Sequence, residues 1–546
     1  MKHSRFICAV CAAVMLTGSL TVFPAEITAY AETEPFYICS SGNFEWDFYR
    51  DGTLVISGKG RMDDNEETPF ENYNRNSGDT ITLKKVIFEE GITHIGADLF
   101  YSGEDQEPEG DCKDLTSVTL PDSLESIGAG AFESCRKLKE INIPERVQHF
   151  GYMAFAGTPW YDDLKAQNEF VILNNVLLEA PASETLTVPD GVTRIAMRVV
   201  WSDDVRRVVL PDSVTVLEEK AFADCINLEE IVIPESVSEI GISAFAGTKW
   251  LADRCAENPC VTVNHILVDC YAVEGELVIP DDVEIIPTLA CAKYEGITGV
   301  VIPETVKKIG AGAFMQCSSL KSISFPDHLA AIPPYICTEC TALSDIRFPA
   351  HVREIGQAAF GGCSGLTEIT LPETVTWVGY AAFTECSSVK EITVLNPYCR
   401  FVNFGLSFCN HFIFDFDNEI PVKDRYAGTV RGYSSSTAEE AAIEADYPFV
   451  SLGEIPEQAF VQPLVRGDVD RSDKVDVADA VLLARFLTED AEAIVTQEGL
   501  ICADTDRSGS IDLEDLTYIL QKIAKRPVND EIWNERTGNP FLGYFL

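Results

Sequence analysis

The chain is short of positive charge. Against 87 Asp and Glu it carries 41 Lys and Arg, a formal net charge of −46 at pH 7. Holding a phosphate backbone takes clustered Lys and Arg, so nucleic acid is excluded as an expected partner. Histidine is scarce as well. His94, His149, His265, His328, His351 and His411 share no spacing that suits a metal or a general base. His94, His149 and His351 fall in or beside turn segments and read as surface residues. There is no G-x-S-x-G, no H-E-x-x-H and no phosphate-cradling Gly-rich loop ending in Lys. No catalytic residue is assigned, and the expectation is that the chain is not an enzyme. Beyond the N-terminus no apolar run is long enough to cross a bilayer, so the chain is not expected to span a membrane.

The N-terminus does hold an apolar run. Lys2 and Arg5 precede FICAVCAAVMLTGSLTVF, and Ala29-Tyr30-Ala31 follows. A charged start, an apolar middle and a small-residue ending make residues 1–31 a secretory signal, and the mature protein is expected outside the cell. Two of the 18 cysteines, Cys8 and Cys11, belong to that segment. Export permits disulfides among the rest.

The middle of the chain repeats. LTSVTLPDSLESIGAGAFESC, LSDIRFPAHVREIGQAAFGGC and LTEITLPETVTWVGYAAFTEC share one pattern, and prolines at 121 and 144, 211 and 234, and 303, 326, 349 and 372 step by 23 residues within each block. The alternating residues before each proline form a short strand with one buried face, and proline ends it because it has no N–H to donate. The Ile-Gly pair is expected to turn the chain, and the Ala-Phe pair to anchor it inward. One unit cannot bury its apolar face alone, so neighbours stack into a solenoid. Cys135, Cys225, Cys317, Cys340, Cys363 and Cys386 share one phase and read as an inward column of small apolar side chains. Cys255, Cys260 and Cys270 are off phase and are the better disulfide candidates, with connectivity open. At 154–180 and 244–270 a helix-like stretch and a hairpin interrupt the regular unit, with Trp160 and Trp250 expected to plug the core there.

These units resemble the BspA-type leucine-rich repeats of secreted bacterial proteins. The resemblance implies a 23-residue leucine-rich-repeat solenoid of short strands, turns and short helices. Its boundaries are an N-terminal cap at 32–80, repeats at 81–395 interrupted near 157–185 and 247–275, a C-terminal cap at 396–453 and a linker at 454–465. A hairpin around Asp51-Gly52 is expected to cap the first coil. A closing strand–helix–strand is expected over 429–452, its helix capped by Ser435 or Thr437. The outward strand positions, from Ser117 and Thr119 through Arg207, Val209, Glu230 and Val232 to Glu391 and Thr393, make a polar face without an aromatic stripe. That favours a protein or peptide ligand over a glycan.

Residues 466–526 differ in kind. GDVDRSDKVDV and ADTDRSGSIDL place Asp468, Asp470, Ser472, Lys474, Asp476 and Asp479, and then Asp504, Asp506, Ser508, Ser510, Asp512 and Asp515, at the ligand positions of two calcium loops. Lys474 and Ser510 would contribute backbone carbonyls. Oxygen-only ligation suits two calcium ions and not zinc. Gly509 fits the sharp turn of the second loop, and Asp473 stands there in the first, so the first site is expected to be weaker. Val475 and Ile511 are expected to pair the loops, and an amphipathic helix follows each loop.

This duplicated loop-then-helix resembles a type I-like dockerin, a small all-α calcium-binding domain. The resemblance implies a cohesin domain of a scaffoldin as partner and a place in a polysaccharide-degrading cellulosome. It puts the cohesin contacts at Val477, Ala478, Arg485 and Phe486, and at Leu513, Glu514, Gln521, Lys522 and Lys525. The apolar tail, 527–546, is expected either to clasp this domain or to stay apart from it. The expected function is a non-catalytic binding protein whose repeats carry an unknown protein or glycan ligand. The alternatives are a cellulosomal hydrolase with its site in the interrupted repeats, and a surface adhesin.

Overall fold

The computed structural model describes residues 35–456 apart from 65–81, 102–111, 201–202, 272, 403, 409–411, 416–419, 424–425 and 427. Beyond these it describes 467–470, 474–487, 493, 495, 499, 502–503, 505, 511 and 513–524. The leader, Ser472, Asp504, Asp506, Ser508, Ser510, Asp512, Lys525 and the 527–546 tail lie outside the described residues. The chain divides into two compact units between Asn168 and Glu169. Among the described residues no helix is long and apolar enough to cross a membrane.

The first unit opens with an antiparallel meander, Tyr37–Ser41, Phe44–Phe48 and Thr53–Gly58, turned at Asp51-Gly52. Its third strand then pairs in parallel with Lys85–Phe88, and Ser117–Thr119 and Glu140–Ile141 follow. A second parallel ladder runs through Gly60–Arg61, Ile92–Ile95, Ser126–Ile127 and His149–Phe150. The unit ends in helix α1 (Pro159–Gln167).

The second unit repeats this two-ladder plan. Its first ladder holds Thr185–Thr187, Arg207–Val209 and Glu230–Val232, and its second starts from a hairpin, Val171–Leu173 with Val176–Glu179. After α2 (Lys249–Glu257) another hairpin, Val261–Val263 with Ile266–Asp269, starts a fresh second ladder. A new first ladder begins at Gly275–Val278 and runs on through Ile297–Val301, Ser322–Ser324 and Asp345–Arg347. The array ends with α3 (Phe404–Ser407) and the strand–helix–strand Thr429–Ser434, α4 (Thr437–Glu444) and Phe449–Glu454, in which Thr429–Ser434 pairs in parallel with Glu391–Val394 and Phe449–Glu454 in parallel with Thr429–Ser434. Helices α5 (Val477–Leu487) and α6 (Leu513–Ile523) form the C-terminal pair. The α4 cap is Ser436, not Ser435 or Thr437. Its hydroxyl accepts from Glu439 N, and Glu439 reaches back to Ser435 N, a reciprocal cap that satisfies two orphan donors. Ser435 sits at φ +61° and Thr437 donates instead to Cys399 O.

Each coil closes in the same steps. The proline that ends the strand accepts from the amide three residues on, as in Val306 N to Pro303 O at 3.1 Å and Val375 N to Pro372 O at 3.0 Å. Two residues of the second ladder follow, then the repeat glycine. That glycine is not the turn residue the spacing suggested. It lets backbones touch: a Cβ on Gly310 would lie 2.1 Å from Thr288 N of the preceding coil, and one on Gly151 would lie 2.1 Å from Ala129 N. The turn is made two residues later by positive-φ residues such as Met153, Lys220, Tyr335, Ala358 and Ala381.

Phenylalanines then stack along the core. Phe100, Phe132 and Phe155 lie at centroid spacings of 5.6 and 5.9 Å, and Phe360, Phe383 and Phe408 at 5.4 and 5.5 Å. Offset pairs of this kind add about 0.5–1.5 kcal/mol each beyond area burial. The six in-phase cysteines are all buried and none of them is in a disulfide. Five of the thiols point to the carbonyl of the Phe-phase residue one coil back at 3.0–3.2 Å, Cys135 to Phe100, Cys317 to Cys291, Cys340 to Phe314, Cys363 to Cys337 and Cys386 to Phe360, and Cys225 reaches Val200 O at 4.0 Å. Of the off-phase cysteines, Cys270 is bonded to Cys291, while Cys255 and Cys260 are free. Cys291 stands where a phenylalanine stands in neighbouring coils.

Candidate functional site

Helix α5 starts because Asp476 caps it, accepting from Ala478 N at 2.7 Å. Asp479 in its first turn folds back over the loop, and its two oxygens accept from Asp470 N (3.0 Å) and Asp476 N (2.8 Å). This brings the carboxylates of Asp468, Asp470 and Asp479 within 4.8 Å of one another, with Asp468 and Asp479 fully buried. Burial pushes the Asp479 carboxyl up, and the charges of Asp470 and Asp468 push the same way. Three converging carboxylates form a donor set for a hard divalent cation, which would neutralise that repulsion. Asp476 spends an oxygen on the cap and stands outside the cluster, and Lys474 is exposed. Calcium fits the residues described, and supplies charge that holds loop and helix together when bound.

In the second loop Asp515 is fully buried and accepts from Thr505 N at 2.6 Å and from its hydroxyl at 3.0 Å. The loops share a small core of Val469, Ala480, Leu483, Ala503 and Ile519, against which Val475 and Ile511 also pack. Gly467 N donates to Cys502 O at 2.8 Å, tying the two loop entries together.

The outer side of α5 is apolar. Val477 is 62 % exposed and Val481, one turn on, 51 %. Ala478 and Phe486 are exposed and Arg485 is half-buried. On α6, Leu520 and Gln521 are exposed, and Lys522 lies over the Tyr518 ring at 5.3 Å. Of Leu513 and Glu514 only the helical backbone is described. Val481 and Leu520 were not among the residues expected at a contact surface. Their signal was apolar character on the side of each helix that faces away from the shared core.

The outward strand face of the repeats is partly occupied by its own contacts. Asn142 exchanges hydrogen bonds with the backbone of Leu120, Arg207 pairs with Glu230 at 3.2 Å, and Arg431 pairs with Glu391 at 3.1 Å. The face is also less polar than expected. Val278 and Val301 are paired in register, 67 % and 45 % exposed.

His94 is not a surface residue. It is buried, with Nδ1 2.7 Å from Ser126 Oγ and Nε2 3.1 Å from Asp64 Oδ1. Asp64 also accepts from Ala97 N, and the hydrogen bond from His94 holds its carboxyl below the usual carboxylate range. The Ser–His–Asp line crosses three successive coils and satisfies polar groups between them. Ser126 is itself buried, as expected of a tie and not of an exposed nucleophile.

Residues 109–201, 199–287 and 284–410 match the BspA type leucine rich repeat region, in six copies. The chain belongs to that family. The match covers more than half of its length and ends before the loops at 468 and 504. No curated protein matches the chain. Among solved structures, a leucine rich cell surface protein from Faecalibacterium prausnitzii is 24% identical over 67% of this chain and 96% of its own, with a TM-score of 0.31. A leucine-rich repeat protein from Bacteroides ovatus is 19% identical over 76% and 100%, at 0.31. The pneumococcal vaccine antigen PcpA is 14% identical over 78% and 100%, at 0.32.

Proposed function

We propose that this BspA-type chain is an exported, non-catalytic binding protein whose C-terminal loop–helix pair, loaded with calcium, docks on a cohesin domain of a scaffoldin. The repeats carry the ligand face, and the C-terminal module attaches them to a polysaccharide-degrading assembly. The observation that supports this reading is the convergence of Asp468, Asp470 and Asp479 at the foot of a helix whose outer side leaves Val477 and Val481 in solvent. Clustered carboxylates hold the loop only when a cation neutralises them, so docking depends on calcium. An apolar helix side at such a foot is the kind of surface a partner buries.

Calorimetric titration of the full chain with calcium tests the first half, with about two sites expected. Asp479→Ala should remove the first-loop heat and leave the second. A chain that takes up no calcium would sink the reading. Pull-down against a panel of cohesins, with and without chelator, tests the second half. Capture that ignores the chelator would count against it.

A further inference from the structure

One coil breaks the cysteine ladder's rule. The Phe phase, filled by Phe314 in the preceding coil and Phe360 in the following one, holds Cys337, and the ladder cysteine Cys340 comes three residues later. Cys337-Thr338-Glu339-Cys340 is a C-x-x-C pair folded as a single turn, with Cys340 N donating to Cys337 O at 3.1 Å. Both residues are fully buried. The two thiols are neighbours on this turn, Cys340 donates its own to Phe314 O at 3.0 Å, and Cys317 of the preceding coil lies beside Cys340. The other cysteine at the Phe phase, Cys291, is already disulfide-bonded.

We propose that Cys337 and Cys340 are a modification site, closed to a disulfide when the chain folds in the presence of a disulfide-bearing oxidant. One cysteine thiolate attacks the oxidant's S–S bond, forming a mixed disulfide and releasing one oxidant thiol. The second cysteine then displaces the other oxidant sulfur. The new S–S bond costs two S–H bonds, and the two protons and two electrons leave on the oxidant's two thiols.

The ladder selects this pairing over Cys317–Cys340. Closing Cys337–Cys340 gives up one thiol-to-carbonyl bond, Cys340 to Phe314 O. Closing Cys317–Cys340 would give up that bond and Cys317 to Cys291 O as well. Burial pushes both thiols of the C-x-x-C pair up, so in the packed coil neither supplies the thiolate that exchange needs. The reaction therefore belongs to folding, when a pair three residues apart meets at little loop-closure cost. The packed coil then shields the bond from reductant.

Trypsin cuts after Lys321 and Arg347, and peptide 322–347 contains these two cysteines and no other. The full chain is refolded from the reduced, denatured state in glutathione redox buffer or in dithiothreitol, alkylated under denaturant and mapped by mass spectrometry. After oxidative refolding the peptide should carry no alkyl group and be lighter by two hydrogens. After reductive refolding it should carry two alkyl groups. Two alkyl groups under both conditions, or a link to the Cys317 peptide, would overturn the proposal. Cys317→Ala should leave the cross-link intact, and its loss in that variant would also count against the pairing. Should refolding fail, the same map of chain secreted by an oxidising host gives the same two readings.

Discussion

Cys317 and Thr248 occupy the same phase of the coil, three residues after the inward aromatic position, and both are buried. Their side chains do opposite things. Cys317 reaches across to the preceding coil and bonds Cys291 O, and the chain continues into the next strand. Thr248 bonds back within its own coil, Oγ1 to Phe245 O at 2.7 Å, and accepts from Leu251 N at 3.1 Å. That second bond caps α2. In the first unit Thr158 does the same for α1, with Pro159 at the first helical position, where its missing N–H costs nothing. A hydroxyl can donate and accept at once, whereas a thiol does both weakly. The lesson is that one side chain per coil decides between stacking onward and breaking out into a helix.

The plain coils and those that break out into a helix share an inward aromatic stack, and its removal should have the largest effect. Phe383→Ala, in the middle of a three-ring stack, should cost about 3–5 kcal/mol by denaturant titration. A loss below 1 kcal/mol would mean that the stack is not what holds plain coils together. Next comes the break-out residue itself. Thr248→Ala should cost about 1 kcal/mol and speed amide exchange across Lys249–Glu257, leaving the strands from Gly275 onward protected. Equal loosening on both sides would show that the threonine holds the coil and not the helix.

A smaller effect is expected at the matching cysteine. Cys386→Ala removes a weak donor and some packing, and should cost under about 1 kcal/mol with no change in helix content by circular dichroism. The smallest effect is a pH dependence of the ties between coils. Asp64 has its folded pKa lowered by His94, so its contribution is present above the unfolded value of about 3.9 and lost as pH falls through the folded one. Protection of the Ala97 amide, which Asp64 accepts, should fall there after correction for intrinsic exchange rates. In Asp64→Asn that step should vanish.

Much of the coil was legible because its chemistry is periodic. The strand before each proline, the inward Ala-Phe and the cysteine column follow from apolar residues recurring at fixed phase. The Asp51-Gly52 hairpin was legible for a different reason, since a type of turn demands a type of residue. What the pattern hid was the reason for the glycine. Gly310 and Gly151 read as turn residues, yet the constraint on them comes from the neighbouring backbone, which no single unit contains. The true turn positions carry Met153, Lys220, Tyr335 or Ala381, residues with no shared preference for positive φ. There the coil imposes the conformation, so composition is silent.

His94 was misplaced because its partners, Asp64 and Ser126, lie 30 and 32 residues away and only the ladder register brings them together. In the C-terminal module the spacing of acids pointed to Asp468, Asp470 and Asp479 but gave Asp476 an equal place. The structure separates them, because the start of a helix competes for the same carboxylate.

The hairpin Val261–Asp269 has a consequence for how the second unit comes apart. In a stacked array each coil borrows stability from the next, so unfolding begun at one end can travel along it. This hairpin and α2 stand where the ladder through Arg207 and Glu230 stops and the ladder through Glu276 and Gly299 begins. Fraying that reaches Glu230–Val232 finds no further strand in its own ladder to unzip. The interruption thus acts as a firebreak, letting one run of coils open while the other stays folded.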